Sequence, residues 1–145
     1  MKKLFIAFLA VSCIFITGCG NKTLKEGTYK GTAIDNYGGE ENTASAEVKI
    51  DAEGKITSVY LDTTYKGSTK KTLKDEYGMK GHPYGSQVGE WYEQVEKLEN
   101  AIVEHQGTTF LALDKDGKTD AVSGCTISVS ALVEAANKAL EQPNN

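Results

Sequence analysis

The chain has 145 residues, 39% hydrophobic and 25% charged, so one ordered domain fits and wholesale disorder is excluded. All 16 basic residues are lysine, and against 20 acids the net charge is −4, which argues against nucleic acid as a partner because phosphate contacts need positive surface. Three cysteines are too few for a disulfide scaffold, and no Cys/His cluster has zinc spacing, so no metal ligands are assigned.

Lys2 and Lys3 precede an apolar run from Leu4 to Ile16, followed by Thr17-Gly18-Cys19. A basic start, a short apolar stretch and small residues at the cut are the parts of a secretory signal. The run of 13 residues would span roughly 20 Å as helix, short of a hydrocarbon core of about 30 Å. Ile16-Thr17-Gly18-Cys19 resembles a bacterial lipobox. That resemblance implies a signal peptide over 1–18, cleavage before Cys19, and a diacylglyceryl group with chains such as palmitate on its sulfur. The plainer alternative is a secreted protein cut nearby. Two acyl chains anchor a protein durably where one does not, so the expected location is the extracytoplasmic face of the cell membrane. Cys13 then leaves with the signal, and Cys125 is the remaining free thiol.

Residues 19–26 are polar and read as a lipidated tether, with the domain over 27–141 and a tail over 142–145. Thr28 to Ala33 reads as a strand. Ala46, Val48 and Ile50 alternate with Glu47 and Lys49, the period of a half-buried strand. Asp51-Ala52-Glu53-Gly54 is turn chemistry, and Ile56 to Thr64 is the return strand with Val59, Leu61 and Thr63 on one face. From Lys66 to Gly85 the pattern dissolves into lysines, glycines, Met79, His82, Pro83 and tyrosines, a loop long enough to be functional. Its lysines, Lys66, Lys70, Lys71, Lys74 and Lys80, read by default as a solvated face. Val88, Trp91, Val95, Leu98 and Ile102 recur at helical spacing, with Gly107 as the stop. Phe110, Leu111 and Leu113 suggest a short strand before the turn Asp114-Lys115-Asp116-Gly117, whose acids form an incomplete calcium loop and read better as a hairpin turn. A last helix begins near Ser128, with Val129, Leu132, Val133, Ala136 and Leu140 in one stripe. The fold class is α+β: a small antiparallel sheet packed with two main helices in a single domain.

The turn before the last helix is where chemistry is expected. Ser123, Gly124, Thr126 and Ser128 bring hydroxyls and a flexible backbone to a helix start, which suits a phosphate; a capped helix with nothing bound is the plainer reading.

Asp120-Ala121-Val122-Ser123-Gly124-Cys125-Thr126 closely resembles the flavinylation motif of bacterial FMN-binding domains. That family is shared with a component of the sodium-translocating NADH:quinone reductase and with extracellular electron-transfer lipoproteins. Gly27 to Thr32 looks like its opening strand and Gly54 to Val59 like its hairpin return. Tyr77-Gly78-Met79-Lys80 and Glu90-Trp91-Tyr92-Glu93-Gln94 resemble segments of its lipoprotein branch. The resemblance implies that a flavin transferase moves FMN from FAD onto the Thr126 hydroxyl, with Asp120 assisting and Ser123 hydrogen-bonding nearby. It implies a phosphate resting on backbone N–H groups of the turn, and a carrier fed by a membrane redox donor such as a quinone-linked dehydrogenase. Cys125 departs from the family's usual Ala; a buried inert thiol and a redox-active one are both readings of it. Met79 and Tyr84 belong to the loop expected to close over the flavin, where Tyr65, Tyr77 and Tyr84 supply aromatic surface. No catalytic triad is present, so a carrier is expected rather than a turnover enzyme. The rival class is a non-redox surface lipoprotein, a binding or adhesion module keeping the fold without flavin.

Overall fold

The computed structural model describes residues 23–81 and 88–144. The signal, Cys19, His82 and Tyr84 lie outside them. Four strands, β1 (Gly27–Asp35), β2 (Asn42–Ile50), β3 (Ile56–Tyr65) and the two-residue β4 (Ser68–Thr69), pair antiparallel in sequence order. Two long helices, α2 (Trp91–His105) and α3 (Ser130–Glu141), cover one face, and a single-turn helix α1 (Lys70–Leu73) follows β4. This is the α+β class the alternation predicts.

The inward residues of β2, Ala44, Ala46, Val48 and Ile50, stand beside Val59, Leu61 and Thr63 of β3 in the register Ala44↔Thr63, Ala46↔Leu61 and Val48↔Val59. Trp91, Val95, Leu98 and Ile102 of α2 close over this surface and are fully buried or nearly so. Each such side chain contributes about 1.5–3 kcal/mol by leaving water. The α3 stripe is narrower where it meets β1. A Cβ on Gly31 would collide with the Ala135 carbonyl oxygen and stand 2.6 Å from the Ala139 nitrogen, so glycine lets helix and strand backbones touch.

Both open edges of the sheet are covered by helix side chains, which blocks pairing with another strand. Gln106 accepts the Ile56 N–H at 2.9 Å and donates to the Ile56 carbonyl at 2.9 Å, imitating a strand neighbour. Glu99 accepts the Leu61 N–H at 2.5 Å. On the other edge Lys138 donates to the Thr32 carbonyl at 3.1 Å and Gln142 to that of Lys30 at 2.6 Å. Gln106, not Gly107, takes the left-handed position that ends α2, with φ 56°.

Four expectations are corrected. Phe110 to Leu113 form no strand, because both sheet edges are already occupied by helix side chains. The last helix starts at Ser130 instead of Ser128, since Val129 N–H bonds back to the Gly117 carbonyl at 2.7 Å and ties the preceding residues to the 114–118 turn. Val88 precedes α2 and is exposed. Lys70 and Lys71 are not solvated: Lys70 is buried and Lys71 pairs with Glu99. Among the described residues no helix is long and apolar enough to cross a membrane.

Candidate functional site

The segment after Asp120 alternates. Val122, Cys125, Ile127 and Val129 are buried in the core, while Ser123, Thr126 and Ser130 are exposed and Ser128 half-exposed. The apolar residues therefore pin the strip down, with Thr126 on its exposed side. Within it the Cys125 N–H bonds to the Val122 carbonyl at 3.1 Å, closing a turn whose third residue, Gly124, has φ +75°. That left-handed position is open to glycine at no steric cost.

Helix α2 supplies the other wall. Gln94, 0% exposed, accepts the Thr126 N–H at 2.8 Å and its hydroxyl at 3.2 Å on the same Oε1. Its Nε2 donates to the Gly89 carbonyl at 2.9 Å. One turn further along, Lys97 lies over the motif turn, its Nζ 3.5 Å from the Gly124 carbonyl. A Cβ on Gly124 would sit 2.5 Å from that ammonium, so the glycine makes the cradle in which the cation rests.

Below Gln94, the start of α2 holds the preceding loop. The two carboxylate oxygens of Glu90 accept the N–H groups of Met79 and Lys80, each at 2.8 Å. Glu93 in turn accepts the Glu90 N–H at 2.7 Å. Tyr77 meets Tyr65 edge-on at 4.9 Å and Trp91 at 6.4 Å. The Lys70 ammonium lies 5.3 Å from the Tyr77 ring and 5.2 Å from that of Trp91, with Asp35 at 3.7 Å. Burial pushes the Lys70 pKa down, partly offset by Asp35, and pushes that of Tyr77 up.

Ser123, Gly124 and Cys125 thus share one turn, Thr126 directly follows it, and Met79 is fixed to the same helix that holds Thr126. Asp120 is exposed at the start of the strip. Ser128 sits beside the 114–118 turn, its Oγ 2.5 Å from where a Gly117 Cβ would stand. The helix-start phosphate cradle needs correction: the Cys125, Thr126 and Val129 N–H groups are all bonded within the protein, and Thr126 precedes the first residue of α3 by four. Positive charge comes from Lys97 instead. Cys125 is 3% exposed and burial raises its pKa, which agrees with an inert thiol. Asp114 accepts the Asp116 and Lys118 N–H groups at 2.9 Å each, a turn and not a calcium loop. No group of metal-binding side chains occurs among the described residues. A separate open groove of about 590 Å³ lies between Tyr37, Leu113 to Lys118 and Ser130.

Sequence reasoning missed Gln94 and Lys97. Gln94 left a signal: it is a polar residue one turn beyond Trp91, inside an apolar stripe. Lys97 left none, because a lysine on an exposed helix face is ordinary until a glycine turn is placed under it.

The exposed side of the strip thus carries Thr126, with the Lys97 cation over the adjoining backbone. No curated protein and no solved structure matches the chain. The sequence profile of the FMN-binding domain does match, over residues 37–141, from the start of the β1–β2 connection to the end of α3. With most of its length covered, including the whole Asp120–Thr126 motif, the chain belongs to the FMN-binding domain family.

Proposed function

We propose that this FMN-binding protein is an extracytoplasmic electron carrier, tethered to the membrane by lipid on Cys19, with its flavin joined to Thr126 as a phosphoester. The observation that carries the reading is Thr126, an exposed residue held by the buried Gln94 directly after the motif turn, with the Lys97 cation over that turn. A covalent link suits an exported protein, from which a dissociable cofactor would be lost. When bound, FMN supplies the redox chemistry, and the chain supplies position and electrostatic surroundings.

The residues divide that work. Gln94 fixes the backbone and hydroxyl of Thr126. Lys97 stands over Gly124 to meet the ester's negative charge; an exposed pair of this kind contributes about 0.2–1 kcal/mol. Tyr77, half-buried, offers amphipathic ring surface, and Glu90 holds the Met79 loop beside it. Cys125 lies on the buried side of the strip, away from the side that carries Thr126, so its replacement of Ala does not stand between Thr126 and the transferase. Electrons would enter from a quinone-linked membrane dehydrogenase and leave to an acceptor outside.

The test is fractionation of cells that express a flavin transferase. The protein should sit in the membrane fraction and be yellow. Cys19→Ser should release it, and Thr126→Ala should leave it anchored but colourless. A colourless wild type would leave a lipoprotein without redox function, the non-redox adhesion or binding class.

A further inference from the structure

We propose that the domain stands on its β2–β3 hairpin end, which faces the lipid headgroups, and that Thr126 is thereby presented away from the bilayer to a protein partner in the aqueous phase. The proposal rests on the lipid anchor at Cys19.

The segment from Thr23 to Glu26 is fastened to the hairpin end. A Cβ on Gly54, in the turn between β2 and β3, would stand 2.6 Å from the Thr23 methyl and 3.0 Å from the Leu24 carbonyl oxygen. Leu24 packs against the core, and the Tyr29 hydroxyl donates to the Lys25 carbonyl at 3.2 Å. Gly27 then opens β1 opposite Ile50, the last residue of β2. The chain therefore enters the domain beside the 51–54 turn and not along a flank of the sheet.

Gly20, Asn21 and Lys22 are all that separates Cys19 from Thr23. Fully extended, a stretch of this length reaches about 14 Å, since each residue adds at most about 3.6 Å. Thr126 belongs to the other end of the domain. Helix α2 runs against β3, with Gln106 bonded to Ile56 just after the hairpin turn, Glu99 to Leu61, and Gln94 to Thr126. From Gln106 to Gln94 the helix covers about 18 Å. β3 itself spans about 33 Å over its 10 residues. Turning the domain over would require the tether to pass along that length, and about 14 Å of chain does not. The anchor keeps the hairpin end low and Thr126 high.

The charge at the hairpin end leaves the orientation to the tether. Lys25, Glu26, Glu53 and Lys55 are exposed there with both signs interspersed, and the Asp51 carboxylate accepts the Glu53 and Lys55 N–H groups at 3.1 and 2.8 Å. Such a surface is neither drawn strongly to anionic headgroups nor strongly repelled by them. A quinol dissolved in the hydrocarbon core does not meet the Thr126 end. The membrane dehydrogenase of the proposed function meets it through a part that stands outside the bilayer, and the flavin transferase likewise approaches from the aqueous side.

The experiment uses the lipidated full chain in phosphatidylcholine vesicles with an energy acceptor on a fraction of the headgroups. Cys125→Ala removes the competing thiol, and either Glu53→Cys or Ser123→Cys, both at exposed positions, takes a fluorophore. Energy transfer gives the distance of closest approach to the headgroup plane. The label at position 53 should lie within about 15 Å of that plane. The label at position 123 should lie at least about 15 Å farther out. Equal distances on vesicle-bound chain, or a nearer label at 123, would overturn the proposal and leave the lipid anchor standing. A wild type that binds vesicles no better than Cys19→Ser would overturn the anchor and the orientation with it. A Gly/Ser insert of about twelve residues between Lys22 and Thr23 adds roughly 20 Å of reach and should draw the label at 123 toward the distance seen at 53. Unchanged distances would overturn the tether as their cause.

Discussion

Glu90→Ala is the substitution that tests how the loop before α2 is held. The Glu90 side chain is buried, and its two oxygens accept the Met79 and Lys80 N–H groups at 2.8 Å each. A hydrogen bond to a charged group is worth about 1.5–3 kcal/mol. Lys80 is exposed and Met79 half-buried, so water replaces part of what alanine removes. The expected loss is about 2–3 kcal/mol, or roughly 8–12 °C in Tm for a domain of this size. Glu90→Gln keeps one acceptor and sets an NH2 group against the second amide, so it should lose about half as much. Urea unfolding gives the stability, and hydrogen exchange at Met79 and Lys80 gives the local effect. Both amides should lose protection in Glu90→Ala while those of Leu98 and Ile102 in α2 keep theirs. A loss under about 1 kcal/mol with unchanged exchange at Met79 and Lys80 would refute the reasoning.

Gly31→Ala should cost about 1–3 kcal/mol in chemical unfolding, because the new methyl meets helix backbone at Ala135 and Ala139 that cannot swing aside; a stability equal to wild type would mean that α3 yields freely. Burial raises the Cys125 pKa above its ordinary 9.0, so just above that pH the folded chain keeps a proton that the unfolded chain releases, and stability falls as pH rises. Unfolding measured from pH 7 to 10 should show a shallower fall for Cys125→Ala, at a cost of no more than about 1 kcal/mol at pH 7; an identical slope would place the thiol in water. Tyr77→Ala should change the fluorescence of the loaded flavin, whereas Tyr37→Ala, at the separate groove, should not. The reverse pattern would move the ring to the groove.

The sheet was readable because its signal is local. Alternation in Ala46, Val48 and Ile50 and in Val59, Leu61 and Thr63, with a turn between, is all that β2 and β3 need, and the observed register pairs those same faces. The apolar stripes of α2 and α3 were legible for the same reason. The failures are tertiary. Whether Phe110 to Leu113 form a strand depends on a free sheet edge, and Gln106 and Lys138 have taken both. The start of α3 depends on Gly117, distant in sequence, accepting the Val129 N–H. Lys70 looks like any loop lysine until Tyr77, Trp91 and Asp35 surround it. At the site, the motif located Thr126, but the groups that act on it come from α2, one from a polar break in a stripe and one from an unmarked surface position.

The most direct test is the intact mass of the protein isolated from cells with a working flavin transferase, followed by fragmentation to locate the modification. The account predicts a single FMN phosphoester on Thr126 and its loss in Thr126→Ala. A chain of unmodified mass at that residue, or FMN attached elsewhere, would contradict it.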